Sequence, residues 1–510
     1  MEPVRKNLVI RLNPNDNVVV ARKDIAAGVE IPEEGFVTKT EVPAGYKVAS
    51  RDIKKGEPII KYNIRIGFAK EDTPVGTMMH THNIVFDHGE LDYAFCRDYK
   101  PVQLIPEAER ATFQGIVRKN GSVGTRNYIA ILSDSNCSNT ATRMVANHFT
   151  PEVLKNYPNV DGVIPLCTTL GCGMEMTGEP MTLLRRTMFG YMDNPNVAGT
   201  VVMALGCERN NVYDMFRELG LEEGPMLTKI VMEEVGGTAI AVKMGIEAVE
   251  RMLPIANDVK RETVSAEHIV LALKCGGSDG FSGLSANPAL GRAADTIVRN
   301  GGTVILAETP EIFGAEHTLT CRARTPEVAQ KLLDRIDWWL EYNKGRDCQI
   351  NGRVSPGNNK GGIANILEKS LGASKKGGET PLNEVYLYGE KVREKGLVFM
   401  DTPGYDPVAA TGQVAGGANV MCFTTGRGSC YGCVPVPSIK LASNTPMYQR
   451  MVADMDINCG TIIDGEQSLD EVGQEIFEMI LKVASGEKTK SEKIGVGADE
   501  YVPWEIGVRA

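Results

Sequence analysis

HIVLALKCGGSDGFSG (268–283) is the stretch whose reading decides the fold. Its first half is a short apolar run that reads as a buried strand. Its second half is a loop of glycine, serine and aspartate. The same grammar recurs in YIAILSDSNCS (128–138), DGVIPLCTTLGCGMEM (161–176), GTVVMALGCERN (199–210), TVILAETPEIFGAEH (303–317), LVFMDTPGYD (397–406) and NVMCFTTGRGS (419–429). Helical patterns fall between such runs. The clearest is PEVAQKLLDRIDWWLEYN (326–343), and Asn287-Pro288 predicts another helix start, asparagine capping and proline in the first turn. Alternation of this kind implies parallel sheets covered by helices. Open parallel sheets bind ligands beyond the carboxyl ends of their strands, so seven polar loops are expected to converge on one or two clefts. That is how an enzyme is organised.

Working outward, the N-terminus carries a two-copy repeat. VVARKDIAAGVEI (19–31) returns as KVASRDIKKGEPI (47–59), with Val20 matching Val48, Asp24 Asp52, Ile25 Ile53 and Gly28 Gly56. Each copy reads strand, D-I-x-x-G turn, strand, and two copies predict a small pseudo-symmetric β domain rather than a solenoid. The segment 99–110 reads as a linker and NGRVSPGNNKGGIANI (351–366) as loop-rich. The expected domains are 1–98, then α/β units over 111–262 and 263–510 with mainly parallel, Rossmann/flavodoxin-like sheets.

With 510 residues, 42% hydrophobic and 24% charged, the composition is that of a multidomain globular protein. A net charge of −10 argues against nucleic-acid or membrane-surface partners, and an anionic substrate would need a local basic site. The start lacks a signal-peptide core and no run is long enough to span a bilayer, so a cytoplasmic location is expected. The twelve cysteines are then reduced thiols. A homodimer is the base expectation.

Several residues are candidates for chemistry. His80 and His82 in HTHN would share a face of a strand and suit acid/base work or a metal; His88 reads as an ordinary loop histidine. Cys137, Cys172 and Cys207 end three runs at a spacing of 35 residues. Three such thiolates could hold a metal or three corners of an iron–sulfur cluster, although strand ends also favour small residues. Ser278, Asp279 and Ser282 lie in a glycine-rich nest suited to a carboxylate or phosphate. Glu308, Glu311, Glu316 and His317 follow one strand, and two or more are expected in the cleft. Thr424, Thr425, Arg427 and Ser429 form a second anion-seeking loop. Arg126, Arg427 and Lys440 could pair with a substrate carboxylate; a salt bridge is the simpler reading of any one arginine. Cys430 and Cys433 read as incidental, and Met144, Met215, Trp338 and Trp339 as packing residues.

Taken together, HTHN (80–83), GTRNYIAI, GCGMEM, GCERN, CGGSDGFSG, ETPEIFGAEH, FMDTPGYDPVAATGQVAGGAN, FTTGRGS and DMDINCGTI resemble the successive signatures of the altronate/galactarate dehydratase family. The match runs over nearly the whole chain. It implies an N-terminal β-clip (SAF-like) domain and dehydration of a six-carbon aldonate or aldarate to a 2-keto-3-deoxy acid. It also implies a divalent metal, usually iron, with Mn2+ or another divalent ion as substitutes. Two placements for iron stay open: mononuclear Fe2+ near His80 and His82, or a cluster on Cys137, Cys172 and Cys207. Catalysis falls to His80, His82, Glu308 and His317; substrate binding falls to Arg126, Ser278, Asp279, Ser282, Thr425, Arg427 and Lys440. Two positions depart from the family pattern: Thr168 stands where many members carry histidine, and IVFDHGELDYAF (84–95) replaces an asparagine- and serine-containing segment. The alternative activities are a sulfo-lyase acting on a sulfonated hydroxy acid and a non-catalytic sugar-acid sensor.

Overall fold

The computed structural model describes residues 7–86, 92–346 and 354–507. His88 and positions 351–353 of the loop-rich stretch lie outside the described residues.

All seven apolar runs are parallel strands, divided between two open sheets. Strands β1 (Tyr128–Ser133), β2 (Gly162–Leu166), β3 (Val197–Ala204) and β4 (Leu227–Val231) form the smaller, in the order β2-β1-β3-β4. The larger contains β5 (Val270–Cys275), β6 (Thr303–Ala307), β7 (Leu382–Tyr386), β8 (Gly396–Met400), β9 (Val420–Thr425), β10 (Ser438–Ala442) and β11 (Ile457–Asn458). Its order is β7-β8-β6-β5-β9-β10-β11. These runs are continuously apolar because both faces of each sheet are covered.

The covering helices include α1 (Asn139–His148), α2 (Glu179–Met192), α3 (Thr238–Asn257), α4 (Ala286–Arg299), α5 (Pro326–Tyr342), α6 (Ile366–Ser374), α7 (Asp406–Ala415) and α8 (Leu469–Ala484). Alternation along the strands sorts the faces. Ile129 and Ile131 of β1 pack with α1 and α3. Leu271 and Leu273 of β5 pack with α4 and α8. Ala130 and Leu132, with Ala272 and Met421, enclose α2 and α7, so the two sheets share one core between them.

Helix α5 begins where its periodicity places it; Thr325 caps it, accepting from the Val328 N–H, and Pro326 occupies the first turn. At α4 the cap differs from expectation. Ser285 is the cap residue, and Asn287 is buried inside the helix, accepting from Thr424 Oγ1 at 2.6 Å and donating to the Gly372 carbonyl. Met144 is also not a packing residue, being 51% exposed, whereas Met215 and Trp339 are buried. Position 262 falls inside the strand Arg261–Ser265, which pairs antiparallel with Thr112–Val117.

In the N-terminal domain the repeat persists down to single hydrogen bonds. Ile25 bridges Val42 and Ile53 bridges Thr73. Asp24 accepts from the Ala44 N–H and Asp52 from the Val75 N–H, both at 2.8 Å. Its short antiparallel strands pack against α6 through Ile59, Ile66, Leu367 and Leu371.

Candidate active site

The chain enters the large sheet at β5, builds outward through β6, β7 and β8, and crosses back to β9. The ends of β5 and β9 therefore form its topological switch point. The two glycine-rich loops meet there: the Gly426 and Arg427 N–H groups both donate to the Gly277 carbonyl, at 3.1 and 3.0 Å.

The N-terminal domain closes over this end. Its Gly45 meets Gly280 and Gly362 so tightly that a Cβ on Gly280 would lie 2.1 Å from the Gly45 carbonyl oxygen. Gly280 and Gly362 have no room for a side chain there, and Gly45 takes a left-handed backbone (φ 81°). Beside it opens a cavity of about 670 Å³ lined by Tyr46, His80, Val354, Ser355, Pro356, Asn359 and Lys360. Arg427 lies near it, beside Gly357, its Nε 3.5 Å from the position a Cβ on Gly357 would take.

His80 is the histidine of this cavity. It is 9% exposed and its ring lies 4.8 Å from that of Tyr46. Its Nδ1 is buried without a hydrogen-bond partner. Burial, with Lys47 adding to it, lowers the His80 pKa to about 4. The imidazole is neutral at physiological pH and can take a proton. The expected pairing with His82 does not occur. HTHN is a turn, in which the Asn83 and Ile84 N–H groups donate to the His80 carbonyl, so His80 points inward and His82 is exposed.

Beneath the loops lies a buried charge network that the sequence revealed only in part. Lys274 donates to Glu308 and lies 3.5 Å from Asp406. Lys376 donates to Cys275 Sγ at 2.7 Å and lies 3.6 Å from Glu308. Lys369 pairs with Glu311 at 2.7 Å. Glu308 is 1% exposed, adopts a left-handed backbone (φ 75°), and leaves Oε2 without a hydrogen bond. A residue that is not glycine rarely adopts that conformation without surroundings that impose it. Glu308 and Glu311 thus share this buried network; they were expected in the cleft, but neither lines the His80 cavity. Lys274 was visible as a charge inside an apolar strand; nothing local marked Lys369 or Lys376. Glu316 is buried beside Tyr93, and burial lowers the pKa of the half-buried His317.

Several expected substrate ligands are occupied by the protein itself. Arg126 is 1% exposed and uses all five N–H donors on Glu492 and the carbonyls of Thr125, Val483 and Glu487. It is a structural tie, not a carboxylate clamp. Lys440 is fully buried and donates to the Ser429 carbonyl, bracing the TTGRGS loop. Asp279 accepts from the Phe281 and Ser282 N–H groups, Ser282 Oγ, Ser443 Oγ and Asn444 Nδ2, so Asp279 and Ser282 knit the nest together. Thr425 Oγ1 accepts from the Gly428 N–H. Among the described residues no hydrogen bond ties up the side chain of Ser278 or Arg427. Thr168 is buried in the smaller domain, its hydroxyl accepting from the Leu170 N–H.

Neither arrangement expected for iron is preformed. His80 and His82 diverge; Cys137, Cys172 and Cys207 are each exposed at the ends of β1, β2 and β3. Among the described residues no three His, Cys, Asp or Glu side chains converge to hold a metal ion. Likewise, no described helix is long and apolar enough to cross a membrane.

Comparison with known proteins agrees with this architecture. Residues 7–87 match the "Altronate/galactarate dehydratase SAF domain" model. Residues 115–257 match "D-galactarate dehydratase/Altronate hydrolase, second domain", and 266–509 match "D-galactarate/Altronate dehydratase, C-terminal". Galactarate dehydratase (L-threo-forming) of Escherichia coli is 36% identical over 96% of this chain and 95% of its own. Altronate dehydratase of Bacillus subtilis is 32% identical over 95% and 96%. The (2R)-sulfolactate sulfo-lyase subunit beta of Chromohalobacter salexigens is 30% identical over 76% of this chain and 96% of its own. With three consecutive domain matches and full-length relatives, the chain belongs to the altronate/galactarate dehydratase family, a family of hydro-lyases.

Proposed function

We propose that this protein removes water across C2 and C3 of a sugar acid of the aldonate or aldarate class, giving a 2-keto-3-deoxy acid. The observation that carries the reading is His80: a neutral, inward-facing imidazole with a buried Nδ1 that makes no hydrogen bond, set in an open cavity lined by Lys360, with Arg427 nearby beside Gly357. Relatives that match the whole chain, β-clip domain included, are named dehydratases of such acids, whereas the sulfo-lyase subunit beta aligns with only part of it.

The chemistry follows from charge. The C2 proton is weakly acidic, and removing it adds negative charge to a carboxylate. Lys360 and Arg427 supply the positive field that holds the carboxylate and stabilises the enediolate. His80 Nδ1 takes the C2 proton. The C3–O bond then breaks, the proton passes to the departing hydroxyl as water, and the enol left behind tautomerises to the 2-keto acid. The Lys274–Glu308–Lys376 network lies below the loops and fixes their positions. The deciding experiment is turnover of a panel of aldonates and aldarates by anaerobically purified protein supplemented with Fe2+, scored for 2-keto-3-deoxy acid. Binding of a sugar acid without any product would overturn the reading and leave a sensor.

A further inference from the structure

A cavity of about 410 Å³ opens where the N-terminal domain, the linker and the domain of the large sheet meet. Domain junctions are common places for ligand sites. This cavity shares no residue with the one that holds His80. Tyr62 and Ile64 of the N-terminal domain and Leu371 of α6 give it an apolar side. Three cations also line it: Lys100 of the linker, Arg322 and Lys375.

Charge around this cavity is unbalanced. Among the described residues none of the three cations forms an ion pair. Arg322 is anchored, its Nε donating to the Thr318 carbonyl at 3.0 Å and its Nη1 to the Thr380 carbonyl at 2.6 Å. No described residue accepts from its Nη2. Lys375 lies over the Tyr62 ring, its Nζ 6.0 Å from the centroid. The two acids of the lining are engaged by arginines that lie outside it: Asp98 is 3.5 Å from Arg97, and Glu379 is 3.3 Å from Arg292. Asp295, which does not line the cavity, accepts from the Glu379 and Thr380 N–H groups.

The aromatic side of the cavity is held in place by its backbone. Tyr62 and Asn63 form the two-residue turn between the strands Pro58–Lys61 and Ile64–Ala69, with φ of 62° and 59°. Such turns favour asparagine and glycine, and a bulky side chain there is uncommon. Asp16 fixes the turn, accepting from the Tyr62 N–H at 3.2 Å and the Asn63 N–H at 2.8 Å. Strain of this kind persists only where the surroundings impose it, and ligand clamps are one such place.

Three cations around one cavity repel one another until an anion enters it. A single negative charge would balance only one of them, so the lining suits a compact dianion. The Arg322 fork matches a phosphate or a carboxylate, and the ammonium groups add charge without a fixed geometry. Tyr62, Ile64 and Leu371 suit a short carbon skeleton. We propose that this cavity is a second ligand site, for a small organic dianion, a phosphate monoester or a dicarboxylate, held by Arg322, Lys375 and Lys100 beside the ring of Tyr62. The site does not depend on the reaction assigned to the His80 cavity.

The test is calorimetric titration of the full-length protein at low salt with glycerol 3-phosphate and, separately, with succinate. Lys375 and Lys100 are exposed and make no ion pair, so Lys375→Gln and Lys100→Gln should fold. At least one of the two dianions is expected to bind. Its affinity should fall roughly tenfold in Lys375→Gln, the order expected for one charge-assisted contact. It should fall further when Lys100→Gln is added, and hold in Lys360→Gln, which removes a cation from the His80 cavity instead. Binding of glycerol 3-phosphate alone would assign the site to phosphate monoesters, and binding of succinate alone to dicarboxylates. Binding of neither, equal binding by wild type and Lys375→Gln, or binding lost in Lys360→Gln would overturn the proposal.

Discussion

Glu368 of α6 accepts from Lys47 of the N-terminal domain at 2.8 Å and from Lys61 at 2.6 Å, with all three side chains sealed from solvent. One carboxylate thus binds two cations from another domain and fixes the wall that carries His80. Burial alone would raise the Glu368 pKa, but Lys47 and then Lys61 outweigh it and hold it well below the usual carboxylate range. Removing one partner of a buried ion pair costs roughly 3–5 kcal/mol. Glu368→Gln, which strands two lysines, should destabilise the protein by at least that much in denaturant titrations.

The same pair sets a pH dependence. Because the folded-state pKa of Glu368 is depressed, its stabilising contribution is present above the unfolded carboxylate pKa. It is lost as pH falls through the folded value. Wild type should therefore lose stability on acidification, from the ordinary carboxylate range downward, more steeply than Glu368→Gln. Parallel slopes for the two proteins in pH-dependent unfolding would show that the triad does not couple folding to protons.

His80→Ala should fold normally, because the side chain makes no hydrogen bond through Nδ1, and should lose roughly 10²- to 10⁴-fold in kcat, the range for a general base. The imidazole works only when neutral. In wild type kcat/KM should therefore fall as pH drops through about 4. The kcat profile should break at a higher pH, since bound substrate carboxylate favours the imidazolium. Full turnover by His80→Ala would remove this residue from the mechanism.

The parts of this fold that local chemistry encodes were legible. Strands buried on both faces must be apolar throughout, so all seven showed as runs; α5 showed through its period. The D-I-x-x-G repeat survives because each aspartate accepts from its own turn partner. What was not legible depends on partners far along the chain. Arg126 looked available because Glu492 lies 366 residues away. Lys376 sits in a bland SKKGG segment, yet it reaches Cys275. HTHN read as a strand end, where the histidines would align, but the Asn83 side chain accepts from the His80 N–H and closes a turn.

Gly280→Ala tests the three-backbone junction. Its Cβ would sit 2.1 Å from the Gly45 carbonyl oxygen and 2.9 Å from the Gly45 carbonyl carbon, and neither is a flexible side-chain end that can swing away. Overpacking of this kind costs about 1–3 kcal/mol, and here the strain falls on domain docking. Earlier proteolytic release of the N-terminal domain, together with a raised KM, is expected. A variant with wild-type protease resistance would mean that the junction yields without cost.

Arg126→Ala separates a structural tie from a substrate clamp. The guanidinium pairs with Glu492 at 2.6 Å and bonds three carbonyls from separate turns. Its loss leaves a largely buried carboxylate without its cation and weakens the ties to three carbonyls, of which Thr125 still accepts from Arg261 and Val483 from the Gly486 N–H. The expected cost is about 3–5 kcal/mol of stability, seen as a lower unfolding midpoint. Arg126→Lys should recover little of it, because one ammonium cannot reproduce five donors fixed in a plane. The protein that remains folded should keep its KM, since the guanidinium is buried and its donors are all engaged by the protein. A raised KM with an unchanged unfolding midpoint would instead place Arg126 in contact with substrate and require Glu492 to release it during turnover.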